Sequence, residues 1–176
     1  MATLTRSVAL IGMMGAGKSA LGRRLAQRLD VPFKDADAEI EAAAGCSISE
    51  IFSRYGEPAF RDGERRVIAR LLELPPHILA TGGGAFIDGE TRARIKQSAT
   101  SVWLKAPIEV LLARTKRRDT RPLLKSGDAR ATLERLLTER APIYAEADLT
   151  VESENVPHQV TIERVIEALT HCGTLI

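Results

Sequence analysis

The stretch Gly12-Met13-Met14-Gly15-Ala16-Gly17-Lys18-Ser19 fits the pattern G-x-x-x-x-G-K-[ST] without gaps. Those residue types suit a phosphate chain. Glycines let backbone N–H groups approach phosphate oxygens closely and adopt the φ/ψ values that such a nest requires. A helix opening near Lys18 would add its unpaired N–H groups and the positive end of its dipole. Lys18 is then placed to reach the β- and γ-phosphates, and the Ser19 hydroxyl to ligate Mg²⁺. Gly15, Ala16, Gly17, Lys18, Ser19 and Ala20 are therefore read as an ATP site.

Four further groups of residues could do chemistry beside bound phosphates. Asp35-Ala36-Asp37 follows a strand pattern; one carboxylate can hold Mg²⁺ or its water while the other accepts a hydroxyl proton. A structural use competes, since Asp37 could N-cap a helix starting near Ala38. Gly82-Gly83-Gly84 also ends a strand pattern, where an ordinary turn needs one glycine and close backbone approach to a ligand explains the others. Arg61, with Glu64 one turn on to orient it, could fork onto a carboxylate, although a solvated helix face is the commoner use of such a run. Arg140 has the same ambiguity, and Pro142 is expected to end its helix and leave Arg140 near a surface edge. The densest cluster is Arg114, Lys116, Arg117, Arg118, Arg121 and Lys125. Within it Arg121-Pro122-Leu123-Leu124 suits a lid in which Arg121 neutralises charge on a transferred phosphoryl group. A solvated charge run competes there. A nucleic-acid patch fits less well, because interleaved aromatic stacking platforms are missing.

Positioning these groups needs a particular scaffold. Short apolar runs at 8–11, 31–33, 78–80, 102–104 and 149–151 alternate with helical patterns at 21–29, 40–44, 91–95, 108–114 and 160–169. Strands separated by helices imply right-handed crossovers and a parallel sheet, so the expected fold is α/β, three-layered, with five parallel strands flanked by helices. Two regions break the alternation. The segment 38–74 reads as a helical insertion hinged at Gly56-Glu57-Pro58, suited to binding the acceptor over the sheet's C-terminal edge. The segment 115–127 reads as a mobile lid.

The chain's 176 residues suit one domain that buries about 70% of its unfolded surface. Basic and acidic residues number 25 and 23, leaving a net charge of +2, so no global field points to nucleic acid or a membrane. The N-terminal residues lack a signal-like apolar core, and no run reaches the ~18 apolar residues of a membrane span, so a cytoplasmic protein is expected. Cys46 and Cys172 lie far apart and read as free thiols; His77, His158 and His171 form no metal or catalytic pattern. No long apolar stripe demands a partner, and a monomer is expected.

Taken together, the ordered motifs resemble the shikimate kinases from Gly12 to about Pro157: the phosphate loop, Asp35-x-Asp37, Phe60-Arg61 with Glu64, Gly82-Gly83-Gly84, Arg121-Pro122-Leu123-Leu124 and Arg140-Ala141-Pro142-x-Tyr144. The resemblance implies a P-loop kinase fold similar to nucleoside monophosphate kinases. It also implies Mg²⁺-dependent transfer of the ATP γ-phosphoryl group to the 3-hydroxyl of shikimate, on the route to chorismate. By the same resemblance Asp37, Arg61, Gly83 and Arg140 would contact shikimate, between Gly82 and Gly84, with Asp37 as proton acceptor. Ser19 would hold Mg²⁺ directly and Asp35 through water, while Lys18 and Arg121 stabilise the moving phosphoryl group. Arg114 would lie against adenine, and Asn155-Val156-Pro157 would complete that pocket. Ala20 stands where the family usually has threonine, weakening one α-phosphate hydrogen bond. Gluconate kinase is the nearest rival, disfavoured by the glycine triplet and the Arg121 motif. A nucleoside monophosphate kinase would need an acceptor-phosphate pocket, and a GTPase switch a guanine motif that Thr115-Lys116-Arg117-Arg118 does not complete.

Overall fold

Strand β1 (Ser7–Ile11) is buried along its whole length, which an apolar run in the middle of a parallel sheet requires. The computed structural model describes residues 2–116 and 128–176. After β1 come α1 (Lys18–Leu29), β2 (Phe33–Asp35), α2 (Ala36–Ala44), α3 (Ile48–Leu71), β3 (Ile78–Ala80) and α4 (Gly89–Ser98). Then follow β4 (Ala99–Lys105), α5 (Ile108–Lys116), α6 (Ala129–Tyr144), β5 (Leu149–Glu152) and α7 (His158–His171). The five strands form one sheet in the order β2-β3-β1-β4-β5, and every pairing is parallel.

That order places the ligand site. From β1 the chain crosses to one side to build β2 and β3, then returns past β1 to add β4 and β5. The carboxyl end of β1 is therefore the switch point where open α/β sheets bind ligands. Helix α1 docks on β1 and β3 and meets α7, whereas α3 packs on α4 and α5 on α6; right-handed crossovers put these two sets on opposite faces of the sheet. Gly22 makes the α1 contact possible, since a Cβ there would stand 2.8 Å from Phe33 and 3.1 Å from Leu10.

The helical insertion is built as two stages. Asp35 caps α2, accepting from the N–H groups of Asp37 at 3.0 Å and Ala38 at 3.3 Å. The competing reading of Asp37 as a cap is thereby corrected: α2 starts two residues earlier, and Asp37 sits in its first turn and lines the cleft. A capping box between Ser47 and Glu50 opens α3, satisfying two end donors at once. At Gly56 (φ 82°, ψ 170°) α3 leaves helical geometry, a conformation that excludes most side chains. The hinge foreseen at Gly56-Glu57-Pro58 is present, and it swings the second half of α3, with Arg61 and Glu64, over the carboxyl ends of the strands.

A second correction concerns α6. The helix continues through Pro142 to Tyr144, and Arg140 is buried, only 9% exposed, rather than at a surface edge. Proline removes one donor, but Leu133, Leu136 and Tyr144 are all buried on the same helix, and their packing holds the last turns in place. A helix carrying Arg140 was expected from sequence, but its full span, Ala129–Tyr144, was not. In the segment read as a lid, Thr115 and Lys116 close α5; from Arg117 to Gly127, including Arg121, it lies outside the described residues. Among the described residues no helix is long and apolar enough to cross a membrane. Both cysteines are free thiols.

Candidate active site

The loop after β1 and the first turn of α1 form one wall of a cleft of about 290 Å³. Its lining includes Gly15, Gly17, Lys18, Ser19, Ala20 and Arg114, and it reaches Asp37 and Gly82. Gly17, the N-cap of α1, takes the left-handed conformation (φ 90°) and has no side chain to cap the helix. The first N–H groups of α1 therefore point into the cleft without helical acceptors, as an anion site requires. Lys18 is buried, 7% exposed, and donates to the carbonyls of Gly12 at 2.5 Å and Met13 at 2.9 Å. Its ammonium is thus parked on the loop that would receive the phosphates.

Arg114 anchors the other wall. Its guanidinium donates to the carbonyls of Gly15 and Ala16 and to that of Glu154, so α5 is tied both to the phosphate loop and to the 153–157 segment. Burial lowers its pKa from the usual value. Ser153 adds a hydrogen bond to the Ala16 carbonyl. Thr81, Thr115 and His158 also line this cleft, and the sequence reading assigned none of them a place there. Burial, then Arg24 and Arg114, push the His158 pKa down, which keeps its ring neutral at neutral pH. Its position at the start of α7 was the only signal available.

Ser19 donates to Asp35 Oδ2 at 2.6 Å. A hydroxyl and a carboxylate side by side at the phosphate loop are the hard oxygen donors that Mg²⁺ prefers, and they fit the ion. Among the described residues no group of three or more His, Cys, Asp or Glu gathers as a self-sufficient metal cage. Two protein oxygens plus nucleotide phosphates and water are the usual arrangement for Mg²⁺.

The acceptor side is organised by the three glycines after β3. Thr81 fixes their start, its hydroxyl donating to Leu10 O at 2.9 Å, and Arg92 holds their end through the carbonyls of Phe86 and Ile87. None of the three has a positive φ; each is bare because a chemically active side chain packs against it. A Cβ on Gly82 would lie 3.0 Å from Asp37 Oδ1 and 3.2 Å from Glu64 Oε2. On Gly83 it would stand 3.3 Å from Arg140 Nη1, and on Gly84 it would overlap the Arg61 guanidinium, 2.6 Å from Cζ. Two arginines and two carboxylates thus converge on one turn from three different helices.

Their partners define what they can bind. Arg61 pairs with Glu64 at 2.9 Å and reaches Glu57 at 3.4 Å, and its side chain is 19% exposed, so it is not the solvated helix face that its neighbours suggest. Arg140 Nη1 is buried with no hydrogen-bond partner among the described residues, a donor awaiting an acceptor. Tyr144, fully buried, donates its hydroxyl to the Gly83 carbonyl; burial pushes its pKa up, so it stays a donor. Tyr144 belonged to a motif but had no role assigned from sequence. Glu64 is 1% exposed, and burial pushes its carboxyl above the ordinary value despite Arg61.

A parallel sheet of this order, a glycine-rich loop of the phosphate-binding pattern after β1 and a helical insertion over a bare glycine turn are the features of a P-loop kinase of small molecules. A family model described as shikimate kinase matches residues 14–170. A shikimate kinase of Paramagnetospirillum magneticum is 60% identical over 164 residues, covering 93% of this chain and 84% of that one. One from Caulobacter vibrioides is 58% identical, with 93% and 82% covered. Among solved structures, shikimate kinase from Acinetobacter baumannii in complex with shikimate superposes with a TM-score of 0.92 at 36% identity, covering 94% and 93%. The chain belongs to the shikimate kinase family, whose chemistry is ATP-dependent phosphoryl transfer. A gluconokinase from Sinorhizobium meliloti, at 18% identity and a TM-score of 0.58, shares the fold alone.

Proposed function

We propose that this kinase transfers the γ-phosphoryl group of ATP to the 3-hydroxyl of shikimate, giving shikimate 3-phosphate and ADP on the way to chorismate. The observation that carries the reading is the convergence of Arg61 and Arg140 on the bare glycine turn, beside Asp37. Shikimate has one carboxylate and three hydroxyls. Guanidinium groups match the carboxylate in fork geometry, while Asp37 and the backbone of Gly82, Gly83 and Gly84 match the hydroxyls. The unpartnered Nη1 of Arg140 gains its acceptor when the substrate binds.

In this reading Asp37 holds the 3-hydroxyl and accepts its proton as the new O–P bond forms. Lys18 leaves the carbonyls of Gly12 and Met13 for the β- and γ-phosphates, and the backbone N–H groups of Gly15 through Ala20 hold them. Arg114, with the 153–157 segment it is tied to, forms the adenine side. Ser19 and Asp35 hold Mg²⁺, which supplies charge neutralisation on the phosphates when bound. Arg121 completes the set from its motif, as a cation for the transferred phosphoryl group. The reading includes a cytoplasmic, monomeric enzyme. The large apolar side chains left exposed among the described residues, Tyr55, Leu74, Val160 and Ile176, belong to separate parts of the chain, as scattered surface residues do.

The test is ADP release with Mg-ATP and shikimate, gluconate or no acceptor. Turnover with shikimate alone is expected; turnover with gluconate alone, or acceptor-independent hydrolysis only, overturns the substrate assignment. In the same assay Asp37→Asn is expected to leave ATP binding near normal and to cut turnover about 10²-fold or more, the scale of a lost general base.

A further inference from the structure

The phosphate loop and the glycine turn after β3 touch each other. A Cβ on Gly83 would stand 3.3 Å from the Met14 backbone nitrogen and 3.8 Å from the Gly12 carbonyl oxygen. Gly12 and Met13 are also the residues whose carbonyls hold Lys18. One side chain spans this contact. Tyr144, the last residue of α6 and fully buried, donates its hydroxyl to the Gly83 carbonyl, and the same oxygen lies 3.8 Å from Met13 Sδ. Its ring is tilted against Trp103, with centroids 5.8 Å apart, and Trp103 in turn lies 3.3 Å from the point where a Gly12 Cβ would stand. Ring packing asks only for an aromatic side chain, and phenylalanine would fill the space. The hydroxyl needs a separate reason.

That reason lies in the peptide it grips. The peptide joining Gly83 and Gly84 is trans, so its N–H points opposite to its C=O. With the carbonyl held on Tyr144, the Gly84 N–H is turned away from that phenol, and among the described residues it donates to no acceptor. Glycines have wide φ/ψ freedom. Without a fixed carbonyl, Gly82-Gly83-Gly84 would leave the direction of that donor unset. Arg140, one turn earlier on α6, faces Gly83 as well, so the hydroxyl also fixes the turn relative to that guanidinium.

We propose that Tyr144 is a positioning residue that ties the glycine turn to the phosphate loop, so that the acceptor is held in line with the γ-phosphoryl group. Tyr144 is not among the residues lining the cleft. It acts through the Gly83–Gly84 peptide on the acceptor side and through Met13 on the nucleotide side. When Lys18 leaves the Gly12 and Met13 carbonyls for the phosphates, the resulting shift of the loop reaches the turn through the same hydroxyl. The inference rests on the reading of the glycine turn as part of the shikimate pocket.

Tyr144→Phe tests it, because it removes the hydroxyl and keeps the ring on Trp103. The measurement is the single-turnover rate of phosphoryl transfer at saturating Mg-ATP and shikimate. A misplacement near 1 Å costs up to about 10²-fold, so the rate is expected to fall at least about fivefold while the ATP KM stays within about twofold. A smaller fall overturns the proposal even if the shikimate KM rises or the Tm drops, since a hydroxyl that only stabilised the fold would move those and leave the saturated rate. A second measurement needs no variant. The chain has two tyrosines, Tyr55 and Tyr144, so wild-type protein carrying 3-fluorotyrosine gives two ¹⁹F signals, and Tyr55, 66% exposed, is the one broadened by a soluble paramagnetic agent. The Tyr144 signal is expected to shift with Mg-ADP alone and with shikimate alone; no shift with either one of them overturns the proposal. Wild type that does not turn over shikimate removes the pocket reading and the proposal with it. Wild type active on shikimate beside an equally active Tyr144→Phe removes only the positioning role.

Discussion

Individual side chains in this site are held in conformations that a bound ligand would release. Lys18 rests on two loop carbonyls, and Arg140 Nη1 and Glu64 Oε2 are buried without partners among the described residues. Leaving buried polar groups unpaired costs about 1–3 kcal/mol each, so these groups make the site a destabilised part of the fold. Glu64 makes this measurable. Its folded pKa is raised, chiefly by burial, so the folded state holds a proton that the unfolded state has already lost. Stability from this group is present below the ordinary carboxyl pKa and is lost as pH rises through the raised one. The Tm of Glu64→Gln is therefore expected to match wild type near pH 4 and to exceed it increasingly as pH rises. A Tm difference that does not change with pH would mean that Glu64 titrates normally in the fold.

At the scale of elements, the glycine turn after β3 is where side chains of helices α2, α3 and α6 meet. Each glycine is matched to one helix's side chain: Gly82 to Asp37 and Glu64, Gly83 to Arg140, Gly84 to Arg61. A methyl group on Gly84 would occupy the position of the Arg61 guanidinium. Overpacking of this kind costs about 1–3 kcal/mol, and here it falls on the arginine proposed to meet the acceptor. Gly84→Ala is expected to raise the shikimate KM by roughly five- to a hundredfold while the ATP KM stays within about twofold; equal effects on both would place the damage in the sheet rather than in the acceptor pocket. The triplet was visible in the sequence as an excess of glycine. Its use was not, because a bare backbone surrounded by guanidinium and carboxylate groups exists only after three helices have packed.

Over the whole molecule, the sheet's centre determines how well the switch point is held. Leu10 is fully buried on β1, lies under Gly22 of α1, and its carbonyl receives Thr81 from the neighbouring strand's end. Leu10→Ala leaves a cavity between sheet and helix and is expected to cost about 2–5 kcal/mol. At this chain length that lowers Tm by roughly 5–15 °C, readable by calorimetry. A loss of under 1 °C would show that the layers collapse onto the gap and that the site is held by the loops instead.

Local chemistry and period were enough for much of this. The phosphate loop was legible because glycine, lysine and serine at that spacing follow an apolar run, and β1 and α1 form where those residues fall. All five strands lie at or beside their apolar runs; in the three central ones, β3, β1 and β4, burial on both faces leaves little choice of residue type. The Gly56 hinge was equally local. Arg61 and Arg140 were ambiguous in sequence, because an arginine beside glutamates reads the same on a wet surface as in a pocket. Only the crossover order, with β1 between β3 and β4, and the kink in α3 decided that both turn inward. The continuation of α6 through Pro142 and the placing of Asp37 and Glu64 beside Gly82 were decided in the same way. Each depends on contacts between residues distant in the chain, and burial, not residue type, gives those contacts their chemistry.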